Sequence, residues 1–153
     1  MSNKRAREVM TAGPACCRPE ATLDEVARLM VEHDCGEIPV VDPSDKVIGV
    51  ITDRDIVCRV VAEGKNPSAY TVATCMTQPV VSVGLDSPVD QVVSVMEGYR
   101  IRRVPVVDDD GACAGIIAQA DIARYSASGT VAGLVRAVSE IRGPDSRKRA
   151  AAH

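Results

Sequence analysis

Gly49, Thr52 and Asp55 are the residues whose types and spacing most suit ligand chemistry. Thr52 and Asp55 stand three apart, so at the start of a helix they share a face. A carboxylate there can accept hydrogen bonds from paired hydroxyls. A Thr hydroxyl beside free helix-terminal N–H groups suits an anion. Gly49 would let a backbone come close. A plainer reading uses the same residues. Thr52 or Asp53 caps a helix, and Asp55 is a first-turn acid favoured by the helix dipole. From spacing alone the cap is the better reading.

Catalytic chemistry finds no support. The histidines are His33 and His153. His33 falls late on an amphipathic segment, where a helix-end cation is expected, and His153 is the last residue. No Ser-His-Asp arrangement, HExxH, phosphate-binding loop or GxGxxG is present. Asp42, Asp45, Asp108, Asp109 and Asp110 lack calcium-loop spacing and suit turns. The six cysteines, Cys16, Cys17, Cys35, Cys58, Cys75 and Cys113, form no Cys-x-x-Cys pair. They read as small buried residues of a reducing compartment, with no metal site. A redox role for the adjacent Cys16 and Cys17 stays open. The sequence therefore predicts a protein that is not an enzyme.

Composition narrows the class. Hydrophobic residues make up 46% and charged residues 25% of 153, ordinary for a globular chain. The net charge of −3 and the absence of Trp and Phe argue against nucleic-acid binding by phosphate neutralisation or base stacking. No apolar run approaches the length of a membrane span. The charged start Met1 to Glu8 lacks the apolar core of a secretory signal, so a cytoplasmic protein is expected.

The elements that must position Thr52 and Asp55 come twice. Displaced by 66 positions, the chain matches itself without a gap. Met10-Thr11 falls on Met76-Thr77, Pro39-Val40-Val41-Asp42 on Pro105-Val106-Val107-Asp108, Gly49 on Gly115, and Asp55-Ile56 on Asp121-Ile122. Thirteen of the 48 pairs from Met10 to Val57 are identical. Each copy predicts the order β-α-β-β-α. Extended stretches cover Pro14 to Cys17 and Val80 to Val83. Thr22 to Glu25 reads as a capping box, and Ser87-Pro88 as an N-cap with proline in the first helical position. Leu23, Val26, Ala27 and Met30, then Val89, Val92, Val93 and Met96, mark buried helix faces. Strands follow at Ile38 to Val41 and Val104 to Val107, with Pro39 and Pro105 near their starts. Second strands run from Val47 to Ile51 and Cys113 to Ile117, and second helices begin near Asp53 and Gln119. Each unit of roughly 50 residues is too small to bury enough surface alone, so the two should pack sheet to sheet. Expected bounds are 8–62 and 74–125 for the units and 63–73 for the linker. An amphipathic helix over 130–142 presents Val131, Leu134, Val135 and Val138 on one side. Gly143-Pro144 ends it, and 143–153 forms a basic, disordered tail.

The Met-Thr start, the amphipathic helix, the Pro-Val-Val-Asp strand and Gly-Val-Ile-Thr-Asp-Arg-Asp-Ile resemble the CBS domain. Two in tandem resemble a Bateman module over Glu8 to Arg124. The resemblance implies an α/β fold of the α+β type, two pseudo-symmetric units packed through their sheets. It implies a regulatory module that binds adenosine-containing ligands (AMP, ADP, ATP, NAD or S-adenosylmethionine) between the units. It also implies a homodimer. With no room for an attached enzyme, the module would be stand-alone and would signal to an unknown target protein in trans.

The family signature Gly-x-x-Thr/Ser-x-x-Asp is complete in copy one as Gly49, Thr52 and Asp55. Copy two keeps Gly115 and Asp121 but has Ala118 for Thr and Ala120 for Arg54. By resemblance, the stronger site combines Gly49, Ile51, Thr52, Arg54 and Asp55 with Val81, Arg102, Arg103, Val104 and Pro105. Asp55 would take ribose, and Arg102 and Arg103 the phosphates. Solvated arginines at a helix exit are the plain alternative. A weaker second site would draw on Ala15, Cys16, Gly36, Glu37, Ile38, Pro39, Ile117 and Asp121, with Glu37 repelling phosphate. A ligand-free interaction module is the other reading. A nucleic-acid-linked regulator rests on the basic tail alone.

Overall fold

The computed structural model describes residues 3–78, 80–125 and 128–139. In chain order the elements are α1 (Ala6–Val9), β1 (Thr11–Ala12), α2 (Leu23–Glu32), β2 (Glu37–Val41), β3 (Val47–Thr52), α3 (Asp53–Ile56), β4 (Val83–Gly84), α4 (Val89–Tyr99), β5 (Arg103–Val107), β6 (Cys113–Ala118), α5 (Gln119–Tyr125) and α6 (Ser128–Ser139). The protein is of the mixed α+β class. No helix among the described residues is long and apolar enough to cross a membrane. The expected stop at Gly143-Pro144 and the basic tail lie outside the described residues.

Two compact units divide the chain, and the division does not follow the repeat. One holds Ala15 to Val80. Among the described residues, the other joins those through Pro14 to those from Val81 to Ser139. In the first unit, Thr22 caps α2 and its N–H donates to the Glu25 carboxylate at 3.0 Å, the expected capping box. That helix buries Leu23, Val26 and Met30. They meet Ile38, Val40 and Ile51 of the β2–β3 hairpin, all fully buried. The hairpin is antiparallel, with Ile38 opposite Ile51, and bulges between Val40 and Val41. Single bridges extend it on both sides, Cys17 parallel to Val40 and Thr77 antiparallel to Val50. Pro39 sits third in β2 rather than near its start. Its carbonyl accepts the Cys17 N–H at 3.0 Å, so its nitrogen faces that side. The missing N–H therefore costs the β2–β3 ladder nothing.

The second unit repeats this plan with longer outer strands, in the order β1-β6-β5-β4. Thr11 pairs with Ile116 and Val83 with Val106. The bulge recurs between Val106 and Val107, 66 residues after its counterpart. Its core contains Val89, Val92, Met96, Val104, Ile117 and Ile122. The helix α6 adds Leu134 and Val138 to this core, while Val135 is 43% exposed. One sequence expectation shifts here. Pro88, not Ser87, occupies the N-cap of α4. The Ser87 hydroxyl instead accepts the Gly84 N–H at 3.1 Å, and the Val89 N–H donates to the Lys4 carbonyl at 3.0 Å. The N-terminal segment thus does the capping that the sequence assigned to Ser87.

Candidate functional site

At the end of β3 the chain turns directly into α3, and this turn carries Thr52 and Asp55. The two residues close on each other. The Thr52 hydroxyl accepts the Asp55 N–H at 3.0 Å, and Asp55 Oδ2 accepts the Thr52 N–H at 3.0 Å. The capping reading therefore holds as local structure. It also uses up the helix-terminal donors that were expected to meet an anion. The Asp53 N–H donates to the Gly36 carbonyl at 3.0 Å and the Arg54 N–H to Asp53 Oδ1 at 2.8 Å. A phosphate at this turn must take its donors from groups other than the Asp53, Arg54 and Asp55 N–H. Two groups keep ligand capacity: the Thr52 O–H, which can still donate, and Asp55 Oδ1.

Asp55 Oδ1 lies 3.8 Å from Arg59 Nε. Arg59 Nη1 donates to the Cys75 carbonyl at 3.0 Å, and Cys75 Sγ donates to the Asp55 carbonyl at 3.5 Å. Burial, followed by the nearby Asp55 charge, pushes the Cys75 thiol pKa up. Neither Arg59 nor Cys75 was singled out from sequence. Arg59 is four residues from Asp55, a signal that was readable. Cys75 meets the site only through the fold.

Copy two builds the same turn without the hydroxyl. The Ala118 N–H donates to Asp121 Oδ2 at 2.8 Å, and Arg124 Nη1 lies 3.7 Å from Oδ1. Asp121 is a buried acid, 7% exposed. The Gln119 N–H donates to the Arg102 carbonyl at 3.1 Å, matching the Asp53 to Gly36 bond.

The remaining predicted residues divide between the units. With Asp55 in the first unit are Gly49, Ile51 and Arg54, and also Ala15, Cys16, Gly36, Glu37, Ile38 and Pro39. Glu37 stands opposite Thr52 across the hairpin and is 8% exposed. Val81, Arg102, Arg103, Val104, Pro105, Ile117 and Asp121 belong to the second unit. Arg102 is exposed and Arg103 half-buried. Neither forms an ion pair among the described residues, so both keep their donors. The close approach expected at Gly49 is made by the chain itself. A Cβ there would lie 2.9 Å from the Thr77 carbonyl oxygen, and one on Gly115 would lie 2.8 Å from that of Thr11.

Cys17 is buried, and its pKa is pushed up to about 12 by burial and then by neighbouring Cys16. A reactive thiolate needs the opposite shift. No group of three His, Cys, Asp or Glu side chains placed to hold a metal occurs among the described residues.

Known proteins share this architecture. An uncharacterised protein of Methanopyrus kandleri is 40% identical over 116 residues, 76% of this chain; the chain spans 57% of that protein's length. Hypoxic response protein 1 of Mycobacterium tuberculosis is 34% identical over 133 residues, covering 87% of this chain and 92% of that one. A crystal structure of Hypoxic Response Protein I with two coordinated zinc ions has a TM-score of 0.74 at 35% identity. It covers 81% of this chain and 100% of that one. The CBS domain pair of protein MJ0100, in complex with 5′-methylthioadenosine and S-adenosyl-L-methionine, has a TM-score of 0.72 at 31% identity. It covers 79% of this chain and 94% of that one. The CBS domain model matches residues 6–62 and again 72–128, one match for each copy of the repeat, and the chain belongs to the CBS domain family as a CBS pair.

Proposed function

We propose that this CBS pair is a regulatory sensor of adenosine-containing ligands, without catalytic activity of its own. One observation carries the reading. In both copies an aspartate is fixed through Oδ2 by the N–H at the strand end, with Oδ1 turned to other partners. A carboxylate immobilised in that way is preorganised to accept ribose hydroxyls. The adenosine compounds held by the MJ0100 pair support the ligand class. Asp55 serves the stronger site and Asp121 the weaker. Arg54, Arg102 and Arg103 supply phosphate donors in place of the first-turn N–H groups, which are taken. The chain acts in the cytoplasm as a homodimer and passes the ligand signal to a target protein in trans. For that, the ligand must favour one arrangement of the chain over another.

Thermal unfolding against AMP, ADP, ATP, NAD, NADH, S-adenosylmethionine and GTP tests the reading. A ligand at a hundredfold its Kd adds about 2.7 kcal/mol to the folded state. Stabilisation by an adenosine compound, lost in Asp55→Asn, is the expected result. Asn keeps an oxygen for the Thr52 N–H, so the cap survives while the charge goes. Arg103→Ala should weaken AMP and spare adenosine. A second reading has its own observation. The Thr52–Asp55 cap is closed internally and Ala118 has no hydroxyl, as in a ligand-free interaction module. No shift with any compound at millimolar concentration would favour that module.

A further inference from the structure

The Asp55 carboxylate is held at both oxygens, and by different means. Oδ2 accepts the Thr52 N–H at 3.0 Å. Oδ1 faces Arg59 Nε at 3.8 Å, close enough for attraction and too far for a hydrogen bond. The lone pairs of Oδ1 are therefore not consumed by the cation that faces them. Arg59 is itself anchored, because Nη1 donates to the Cys75 carbonyl at 3.0 Å. Cys75 is 2% exposed, and its thiol donates back to the Asp55 carbonyl at 3.5 Å. Asp55, Arg59 and Cys75 close a ring of contacts with the carboxylate at its open end. Among the described residues, copy two shows no such ring. The repeat position of Arg59 is Tyr125. Arg124, which faces Asp121 Oδ1, has a side chain 70% exposed, against 38% for Arg59.

We infer that Arg59 is a positioning residue for Asp55, aiming Oδ1 at the ribose diol and balancing its charge without occupying it. The inference rests on the reading of Asp55 as the ribose acceptor. It makes the Asp55 site more selective for an intact diol than the Asp121 site. It also ties diol recognition to the segment that carries Cys75.

The test is calorimetric titration with AMP and with 2′,3′-dideoxy-AMP, in an Asp121→Asn background so that one site is read. The unsubstituted Asp55 site should prefer AMP by roughly ten- to hundredfold, the range for losing hydrogen bonds to a charged group. Arg59→Gln should cut that preference to about threefold or less and leave the dideoxy affinity nearly unchanged. Arg59→Lys should restore most of it. A purely structural Arg59 gives another pattern, in which Arg59→Gln lowers the melting temperature while the diol preference stays whole. That pattern overturns the inference. AMP binding with no diol preference in the parent protein also overturns it, because Asp55 would then not meet ribose. Absence of AMP binding overturns the inference as stated, while the ligand reading itself falls only when the thermal screen shows no shift with any adenosine compound.

Discussion

Crowding keeps glycine at positions 49 and 115. Both have a neighbouring carbonyl within 2.9 Å of where a Cβ would stand, and at Gly115 the Met10 sulfur would be only 2.5 Å away. Backbone cannot yield as a flexible side chain can. Gly49→Ala and Gly115→Ala should each cost about 1–3 kcal/mol, read from urea unfolding midpoints at constant slope. Unchanged midpoints would show that Thr77 and Thr11 move aside freely. The thiols follow from burial in the same way. Iodoacetamide at pH 8 should label exposed Cys58 in the folded protein and reach Cys17 and Cys75 only on unfolding. The folded pKa of Cys17 is raised, from 9.0 to about 12. Its share of stability is therefore whole below pH 9 and is lost as the pH climbs towards 12, because the unfolded thiol ionises first. A flat stability curve through that range would contradict the burial of Cys17.

Helix ends show how far local sequence reaches. The close of α2 is a left-handed turn, with the Cys35 N–H on the Met30 carbonyl at 3.0 Å and the Asp34 N–H on the Val31 carbonyl at 3.4 Å. Asp34 takes φ of 48°, and Arg100, its repeat counterpart, takes 54°. Glycine prefers that region and neither position holds one, so the sequence, which marks the end of α2 only through His33, did not show the left-handed turn itself. Asp34→Gly should raise stability by about 0.5–1 kcal/mol in thermal unfolding, and a loss would mean that the Asp34 side chain does more than its geometry shows. The capping box at Thr22, the apolar stripes and the two hairpins were legible, since period and cap chemistry act within a few residues. The Thr52–Asp55 spacing was legible too. That the turn would consume its own N–H groups was not, because the Gly36 carbonyl arrives from a distant part of the chain.

At the scale of the molecule, repetition was plain and its wiring was hidden. Thr11 and Thr77 are identical, so the sequence is equally consistent with either one flanking either hairpin. Only the structure shows each flanking the hairpin of the other copy. The core of the second unit depends on α6, where Leu134 is fully buried. Leu134→Ala should cost about 2–5 kcal/mol. Hydrogen exchange should place the loss in α4, α5 and α6, and a loss spread evenly over β2 and β3 as well would show that the two cores melt as one.

The exchanged Met-Thr segments bear on what half of this gene could encode. A lone repeat would carry at its head a strand shaped for another molecule's hairpin, and its own hairpin would lack an edge. Only reciprocal lending between two chains would complete both. The fused gene places lender and borrower on one polypeptide, so an exchange that would depend on concentration between separate chains becomes a fixed property of a single chain.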